Sequence, residues 1–193
     1  VLVDPTILDF LSREEVHAGL GEVIKYGAIR DSKFFNDISE WLDDIESFPF
    51  EKAIYRSCEI KAEIVSLDER EGGLRRLLNF GHTIGHALEA NLGYGKIRHG
   101  EAIALGMKCS GWISEQMNFM SKSENQFLVQ TIDKLTLPST SKMDYDSILS
   151  FVKKDKKVRN GVLHFVVLDA LGKGNICDKV SYDLIKESLK ILL

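Results

Sequence analysis

The hydrophobic pattern near the start of the chain predicts two long helices. Ser12 and Glu15 have the spacing of a capping box, in which both side chains satisfy backbone amides at a helix start. We therefore expect a helix over about residues 12–29. A second helix is expected over about residues 47–68, with Pro49 in its first turn. Apolar residues recur along it at helical spacing, namely Ile54, Cys58, Ala62 and Val65.

Glycines divide the rest of the helical pattern. Gly72 and Gly73 interrupt it, and a third helix is expected over about residues 74–91, with Gly93 as its stop signal. Further helices are expected over about residues 100–117, 123–135 and 145–154, and a last one begins after Ser181.

The β signal is weaker and lies at two places. Residues 1–3 predict the last part of a strand, and Asp4-Pro5 predicts the turn that follows it. Residues 161–168 predict a second strand, Gly172 and Gly174 a turn, and Ile176 the start of a returning strand. The expected fold is a mainly α, multi-helix domain over residues 1–193 with a minor β element. Because no Met opens the chain, we expect a fragment of a longer protein.

Composition narrows the class of protein. Hydrophobic residues make up 44% of the 193 residues, charged residues 28%, and the net charge is −4. These values are ordinary for a globular domain, and they do not indicate binding to nucleic acid or to a membrane surface. The three cysteines are far apart, which favours reduced thiols and a cytoplasmic location.

A pair of histidines is the first candidate for chemistry. His82 and His86 are four residues apart, so they share one helix face. Gly81 and Gly85 beside them are poor helix formers, which indicates that another element packs close to this backbone. The alternative for this short motif is two partly exposed histidines beside glycines that ease helix packing.

Two further residues point to a metal. His99 follows a short connection, so antiparallel helices bring it back toward the histidine pair. Glu22 lies in the middle of the first helix, among small and apolar residues. Imidazoles with a carboxylate suit Zn²⁺ or Co²⁺ in a site with one open position. The alternative for Glu22 is a solvated carboxylate paired with Lys25 one turn onward.

A polar stripe accompanies these candidates. If the third helix is continuous, Glu71, Arg75, Asn79, His82 and His86 share one face, and Lys61 lies on the helix before it. Lysines also cluster at residues 153–157, where the alternative is a solvated surface. Cationic groups beside a metal suit an anionic substrate that carries carboxylate or phosphate. Spacing alone names no reaction.

Four segments together resemble the C-terminal half of 3-dehydroquinate synthase, in the order and spacing of that family. They are GLGEVIKYG (19–27), CEIKAEIVSLDEREGGLRRLLNFGHTIGHALEA (58–90), RHGEAIALGM (98–107) and KKDKKVRNGVLHFVVL (153–168).

The resemblance implies an activity and an architecture. The family converts 3-deoxy-D-arabino-heptulosonate 7-phosphate into 3-dehydroquinate and phosphate, in the shikimate pathway. NAD⁺ oxidises a ring hydroxyl and is regenerated after phosphate elimination, and ring opening and an aldol closure follow. The family pairs a Rossmann-like NAD-binding domain with a helical metal-binding domain, and it forms cytoplasmic homodimers.

The resemblance also assigns roles to residues. It implies that Glu22, His82 and His99 bind the divalent metal and that His86 stays outside the ligand set, as a hydrogen-bonding or proton-transfer group. The polar active-site positions that it implies are Lys25, Lys61, Glu71, Arg75, Asn79, His86 and Lys156, with Lys157 as the alternative to Lys156. Ile7, Leu8, Asp9 and Phe10 match a segment that borders NAD.

No glycine-rich nucleotide loop is present in this sequence, so we expect the Rossmann-like half to be missing, NAD to bind weakly if at all, and the fragment alone to be inactive. Three alternatives stay open. The first is a related sugar-phosphate cyclase such as 2-deoxy-scyllo-inosose synthase. The second is an iron-type alcohol or glycerol dehydrogenase, which would lack the stripe of Glu71, Arg75 and Asn79. The third is a non-catalytic, metal-stabilised helical module.

Overall fold

A computed structural model describes residues 2–70, 72–93, 95–140, 144–154, 158–159 and 162–192 of the chain. These residues form mainly helices, as predicted. The α-helices are α1 (Arg13–Arg30), α2 (Ser32–Trp41), α3 (Phe50–Leu67), α4 (His82–Leu92), α5 (His99–Gln116), α6 (Lys122–Ile132), α7 (Tyr145–Lys154) and α8 (Tyr182–Leu189). None of these helices combines the length and apolar character that a membrane crossing requires.

The β structure consists of two small antiparallel ribbons. β1 (Val158–Arg159) pairs with β2 (Val162–Leu163), and β3 (Phe165–Ala170) pairs with β4 (Lys173–Cys177). In the second ribbon Phe165 lies opposite Cys177, and the register shifts between Leu168 and Ala170. A strand, a turn at Gly172 and a returning strand are therefore present as predicted, but the predicted strand over 161–168 is divided between β2 and β3, and Gly174 lies within β4, which begins at Lys173 and not at Ile176.

The predicted helix ends are confirmed where the capping chemistry is strong. At α1 the Ser12 hydroxyl accepts from the Glu15 amide and the Glu15 carboxylate accepts from the Ser12 amide, so the capping box is complete. Ser181 caps α8 in the same way by accepting from the Leu184 amide. Gly93 ends α4 with a positive φ of 89°, which glycine adopts at little cost.

The strand predicted at the start of the chain is wrong. Leu2 and Val3 do not form a strand, and Pro5–Phe10 forms a 3₁₀ helix at whose start the Asp4 carboxylate accepts from the Thr6 amide. Val1 lies outside the described residues. Helix α2 was not predicted, although Asp31 caps it by accepting from the Phe34 amide.

The predicted third helix is also wrong, because the chain breaks before His82. Leu74–Asn79 is a 3₁₀ helix, and Gly81 then takes a left-handed conformation with φ of 77° before α4 begins. Arg75 and Asn79 therefore do not share one continuous helix face with His82 and His86, and Glu71 lies outside the described residues. The predicted stripe assumed one uninterrupted α-helix with 3.6 residues per turn. The left-handed Gly81 interrupts that helix, so the residues before and after it do not share one helical face.

Helix α5 lies at the centre of the molecule and packs against two hydrophobic clusters. Ile103 and Met107 belong to a cluster shared with α1, α2 and α3. Leu105 and Ile113 belong to a second cluster shared with α4, α7, α8 and β3. Because both faces of α5 are buried, residues at its start have a fixed position relative to α1 and α4.

Glycines bring α1, α4 and α5 into backbone contact. A Cβ on Gly100 would lie 1.7 Å from the Ala18 carbonyl oxygen of α1, and one on Gly106 would lie 2.0 Å from the Gly81 carbonyl oxygen. A Cβ on Gly85 would lie 3.0 Å from the Ala102 carbonyl oxygen. The prediction that another element packs against the glycine-flanked histidines is confirmed, and that element is α5.

Candidate metal centre

Glu22 and Lys25 form the part of the site that α1 supplies. The Lys25 side chain is buried, with 3% of the residue exposed, and its ammonium contacts Glu22 Oε2 in an ion pair. Burial lowers the pKa of Lys25, while the Glu22 carboxylate opposes that shift. The ion pair considered from the sequence is therefore present, with a buried ammonium and a half-buried carboxylate, and it holds one carboxylate oxygen of Glu22 in place.

His82 is the first residue of α4, where the left-handed Gly81 turns the chain toward α1. Its Nδ1 lies 3.1 Å from the Phe80 carbonyl oxygen. A carbonyl oxygen only accepts, so Nδ1 carries the proton and Nε2 keeps a lone pair. That Nε2 lies 3.5 Å from Glu22 Oε1.

His99 is the first residue of α5 and reaches the same carboxylate oxygen. Arg98 and Glu101 fix the start of α5, because the Glu101 carboxylate accepts from the Arg98 amide at 2.8 Å. The Nδ1 of His99 lies 3.3 Å from each carboxylate oxygen of Glu89 on α4. Its Nε2 lies 3.8 Å from Glu22 Oε1. The predicted return of His99 toward the histidine pair is confirmed.

His86 lies one turn after His82 on the exposed side of the same cluster. Its ring centroid is 5.4 Å from that of His82 and 5.6 Å from that of His99. The three histidines have ring nitrogens that all lie within 4.8 Å of one another. Geometry alone therefore offers two ligand sets, the three histidines or Glu22 with His82 and His99.

The Glu22 carboxylate favours the second set. Its Oε1 is buried and, among the described residues, has no hydrogen-bond partner. It faces the Nε2 lone pairs of His82 and His99, so three electron-rich atoms converge with no proton between them in these tautomers. A buried acceptor of this kind costs about 1–3 kcal/mol when it is unsatisfied. A divalent cation such as Zn²⁺ or Co²⁺ removes that cost, so these residues fit the metal.

The remaining predicted polar residues differ in burial and in the contacts that they make. Lys61 is exposed on α3. Its positive charge further lowers the pKa of Lys25, so the two ammonium groups interact electrostatically. Arg75 is half-buried and donates to the Glu69 carbonyl oxygen at 2.9 Å. Asn79 ends the 3₁₀ helix that precedes His82. Glu71, Lys156 and Lys157 lie outside the described residues, so their predicted roles stay predictions.

The predicted NAD-bordering segment forms the 3₁₀ helix before α1. Ile7 and Phe10 are exposed, at 60% and 88%, and Asp9 is exposed as well. Leu8 is half-buried and lines an apolar groove with residues of α1 and α3. No described contact tests the NAD assignment of Ile7, Leu8, Asp9 and Phe10, and it stays a prediction.

Two partners of the histidines were not predicted from the sequence. They are the Phe80 carbonyl oxygen, which orients His82, and the Glu89 carboxylate, which orients His99. A backbone carbonyl leaves no signal in a sequence. Glu89 does leave one, because it lies three residues after His86 and seven after His82, on the same helix face.

Known proteins are similar to this chain over nearly its whole length. Residues 19–158 match the family described as 3-dehydroquinate synthase C-terminal. The 3-dehydroquinate synthase of Rippkaea orientalis is 42% identical over 96% of this chain and 53% of its own length. That of Neisseria meningitidis serogroup A is 38% identical over 98% of this chain and 54% of its own length. The chain thus spans about half the length of the curated relatives it matches.

Solved structures share the fold at lower identity. A 2-epi-5-epi-valiolone synthase from Streptomyces hygroscopicus, with NAD⁺ and Zn²⁺ bound, covers 99% of this chain with a TM-score of 0.88 at 22% identity. A 2-deoxy-scyllo-inosose synthase, complexed with carbaglucose-6-phosphate, NAD⁺ and Co²⁺, covers 94% with a TM-score of 0.73 at 25% identity. The family match over residues 19–158 identifies the chain, which belongs to the 3-dehydroquinate synthase C-terminal family.

Proposed function

We propose that this chain is the metal- and substrate-binding half of a 3-dehydroquinate synthase, over residues 1–193. The complete enzyme eliminates phosphate from 3-deoxy-D-arabino-heptulosonate 7-phosphate and closes the ring to 3-dehydroquinate. Sequence identity favours this activity over that of other sugar-phosphate cyclases. Identity is 38–42% to the 3-dehydroquinate synthases named above, against 22–25% to the other cyclases.

The proposed metal ligands are Glu22, His82 and His99. The observation that carries this proposal is the buried Glu22 Oε1, which faces both Nε2 atoms and has no hydrogen-bond partner among the described residues. A divalent cation bound there supplies Lewis-acid polarisation to substrate hydroxyl groups. Three protein ligands leave a position for those hydroxyls, and the exposed His86 then acts as a proton acceptor or donor beside them.

Cationic residues provide for the anionic groups of the substrate. Lys61 and Arg75 bind carboxylate or phosphate in this proposal, together with Lys156. Lys25 keeps the Glu22 carboxylate oriented, while Asn79 and Glu71 complete the polar surroundings. NAD binds mainly to the other half of the enzyme and borders residues 7–10 of this chain. A cytoplasmic location and a homodimeric state belong to the same proposal.

Metal binding by variants tests the ligand assignment. We expect one Co²⁺ or Zn²⁺ per chain in the wild type, and a loss of at least about 100-fold in affinity for His82→Ala or His99→Ala, since each removes a direct ligand. His86→Ala serves as the matched control, because the same substitution one turn away should keep the stoichiometry. An empty site in His86→Ala, or an unchanged affinity in His99→Ala, would contradict the assignment.

A chimera tests the reaction. This chain would replace the matching half of the Rippkaea orientalis enzyme, to which it is 42% identical. We expect phosphate release from the heptulosonate phosphate, and a loss on the order of 100-fold for His86→Ala with the metal retained. Release from a hexose 6-phosphate, with none from the heptulosonate, would instead favour a cyclase related to the 2-deoxy-scyllo-inosose synthase.

A further inference from the structure

Glu89 contacts His99, a candidate ligand whose ring orientation depends on another side chain. Its two carboxylate oxygens each lie 3.3 Å from His99 Nδ1. An ionised carboxylate only accepts hydrogen bonds, so this contact places the imidazole proton on Nδ1. The opposite nitrogen, Nε2, is then unprotonated and lies 3.8 Å from Glu22 Oε1.

We propose that Glu89 is a positioning residue, which holds His99 in the tautomer and ring orientation that a metal needs; this inference rests on the proposed metal site. A carboxylate that accepts from the far nitrogen of a ligating imidazole also makes the near nitrogen a stronger donor. Glu89 itself stays outside the ligand set, because its oxygens contact the ring edge that faces away from Glu22.

The two histidines are oriented by different means, and the difference makes the proposal testable. His82 is held by the Phe80 carbonyl oxygen at 3.1 Å, a backbone group that substitution leaves in place. His99 depends on a side chain, and its own side chain is 48% exposed, so few other contacts restrain the ring. Loss of Glu89 should therefore release His99 and leave His82 unaffected.

The fold explains why Glu89 reaches His99. Glu89 lies in the last turn of α4 and His99 begins α5, so the short antiparallel connection places them side by side. The Glu89 side chain is 19% exposed, so the carboxylate is the more buried partner of the contact. The Glu101 capping contact fixes the first turn of α5 independently of Glu89.

Glu89→Gln tests the proposal with two measurements on the 193-residue chain. We expect Co²⁺ affinity to fall by about 10–100-fold, the usual cost of losing such a partner. We also expect nitrogen-15 NMR of the metal-free protein to show that the His99 proton no longer resides mainly on Nδ1. A structural role alone would not change that tautomer. In a His99→Ala background, Glu89→Gln should cause no further loss of affinity.

The matched control is Glu187→Gln on α8, whose two carboxylate oxygens contact the Lys190 ammonium at 2.7 and 2.8 Å. It should change neither measurement, and the thermal midpoints of the metal-free variants verify folding. Wild-type Co²⁺ affinity in Glu89→Gln, or a His99 tautomer that stays unchanged, would overturn the inference while the metal site stands. A wild-type chain that binds no Co²⁺ would instead contradict the proposed function.

Discussion

The site has two halves that are held in place by different interactions. We call Glu22, Lys25 and His82 the inner half, and His86, His99 and Lys61 the rim. In the inner half, the Lys25 side chain is 4% exposed and that of His82 is 12% exposed. On the rim, His99 is half exposed, and His86 and Lys61 are exposed.

The partners of the two halves differ in the same way. In the inner half, a partly buried ion pair fixes Glu22 and Lys25 and a backbone carbonyl fixes His82. Behind them, glycines bring α1, α4 and α5 together. On the rim, His99 contacts the Glu89 side chain. The proposed metal site needs rigid ligands on one side and access for substrate on the other. In that proposal the inner half supplies the first and the rim the second.

The largest expected effect comes from separating the helices behind the inner half. In Gly100→Ala the new Cβ would lie 1.7 Å from the Ala18 carbonyl oxygen, and this backbone atom has no rotamer by which to yield. We expect α1 and α5 to move apart, at a cost of about 3 kcal/mol in the free energy of unfolding, the upper end for overpacking. Urea unfolding of the metal-free chain measures this.

Gly19→Ala is the matched control for this prediction. Gly19 follows Ala18 in α1, but a Cβ added there has no neighbour within 4 Å. Alanine at a helix interior is favoured over glycine by about 1 kcal/mol, so this variant should be more stable than wild type. Equal effects at the two positions would contradict the close backbone contact between α1 and α5.

A smaller effect on stability should distinguish Lys25 in the inner half from Lys61 on the rim. Lys25→Met keeps the buried alkyl stem but removes the partner of Glu22 Oε2, which we expect to destabilise the metal-free chain by about 1–2 kcal/mol. Lys61→Met on the rim should change stability by less than about 0.5 kcal/mol. Chemical unfolding of both variants provides the comparison. Greater stability of Lys25→Met would show that burying the ammonium costs more than its ion pair returns.

Much of this arrangement could be predicted from the sequence, because its signals are local. The capping box at Ser12 and Glu15, the glycine stop at Gly93 and the spacing of His82 and His86 depend on neighbours within one or two turns. Glu22 and His99 belong to other helices, and both were metal candidates from their sequence context before the family resemblance assigned them as ligands. In the structure, the Nε2 atoms of His82 and His99 each lie within 4 Å of Glu22 Oε1.

The misses around the site share a physical cause, which is that tertiary packing overrode the local pattern. Residues 74–91 have helical periodicity throughout, but contact with α5 requires the left-handed Gly81, and the helix restarts there. The burial of Lys25 is equally invisible locally, because α3 and the 3₁₀ helix before α4 pack over α1. The Phe80 carbonyl partner of His82 depends on that same restart.

The smallest expected effect concerns a histidine on α1 that is not part of the site. His17 is buried, and its Nδ1 accepts from the Thr136 amide at 3.0 Å, so the folded state requires the neutral ring. Burial, with a further contribution from the Arg13 charge, lowers the pKa of His17 below its ordinary value of 6.5. The rings of His82 and His99 have a carbonyl and a carboxylate partner, which accept, whereas the partner of His17 donates.

The sign of the pH effect follows from that lowered pKa. The unfolded chain takes up the proton first on acidification, so the contribution of His17 to stability is complete above about pH 6.5 and declines as the pH falls toward the folded-state pKa. His17→Gln should therefore lose less stability than wild type between pH 7.5 and 5.5, as measured by urea unfolding of the metal-free chain. The same substitution at His164, between β2 and β3, controls for replacing an imidazole by an amide. Parallel pH curves for wild type and His17→Gln would show that α1 holds this ring without requiring it to be neutral.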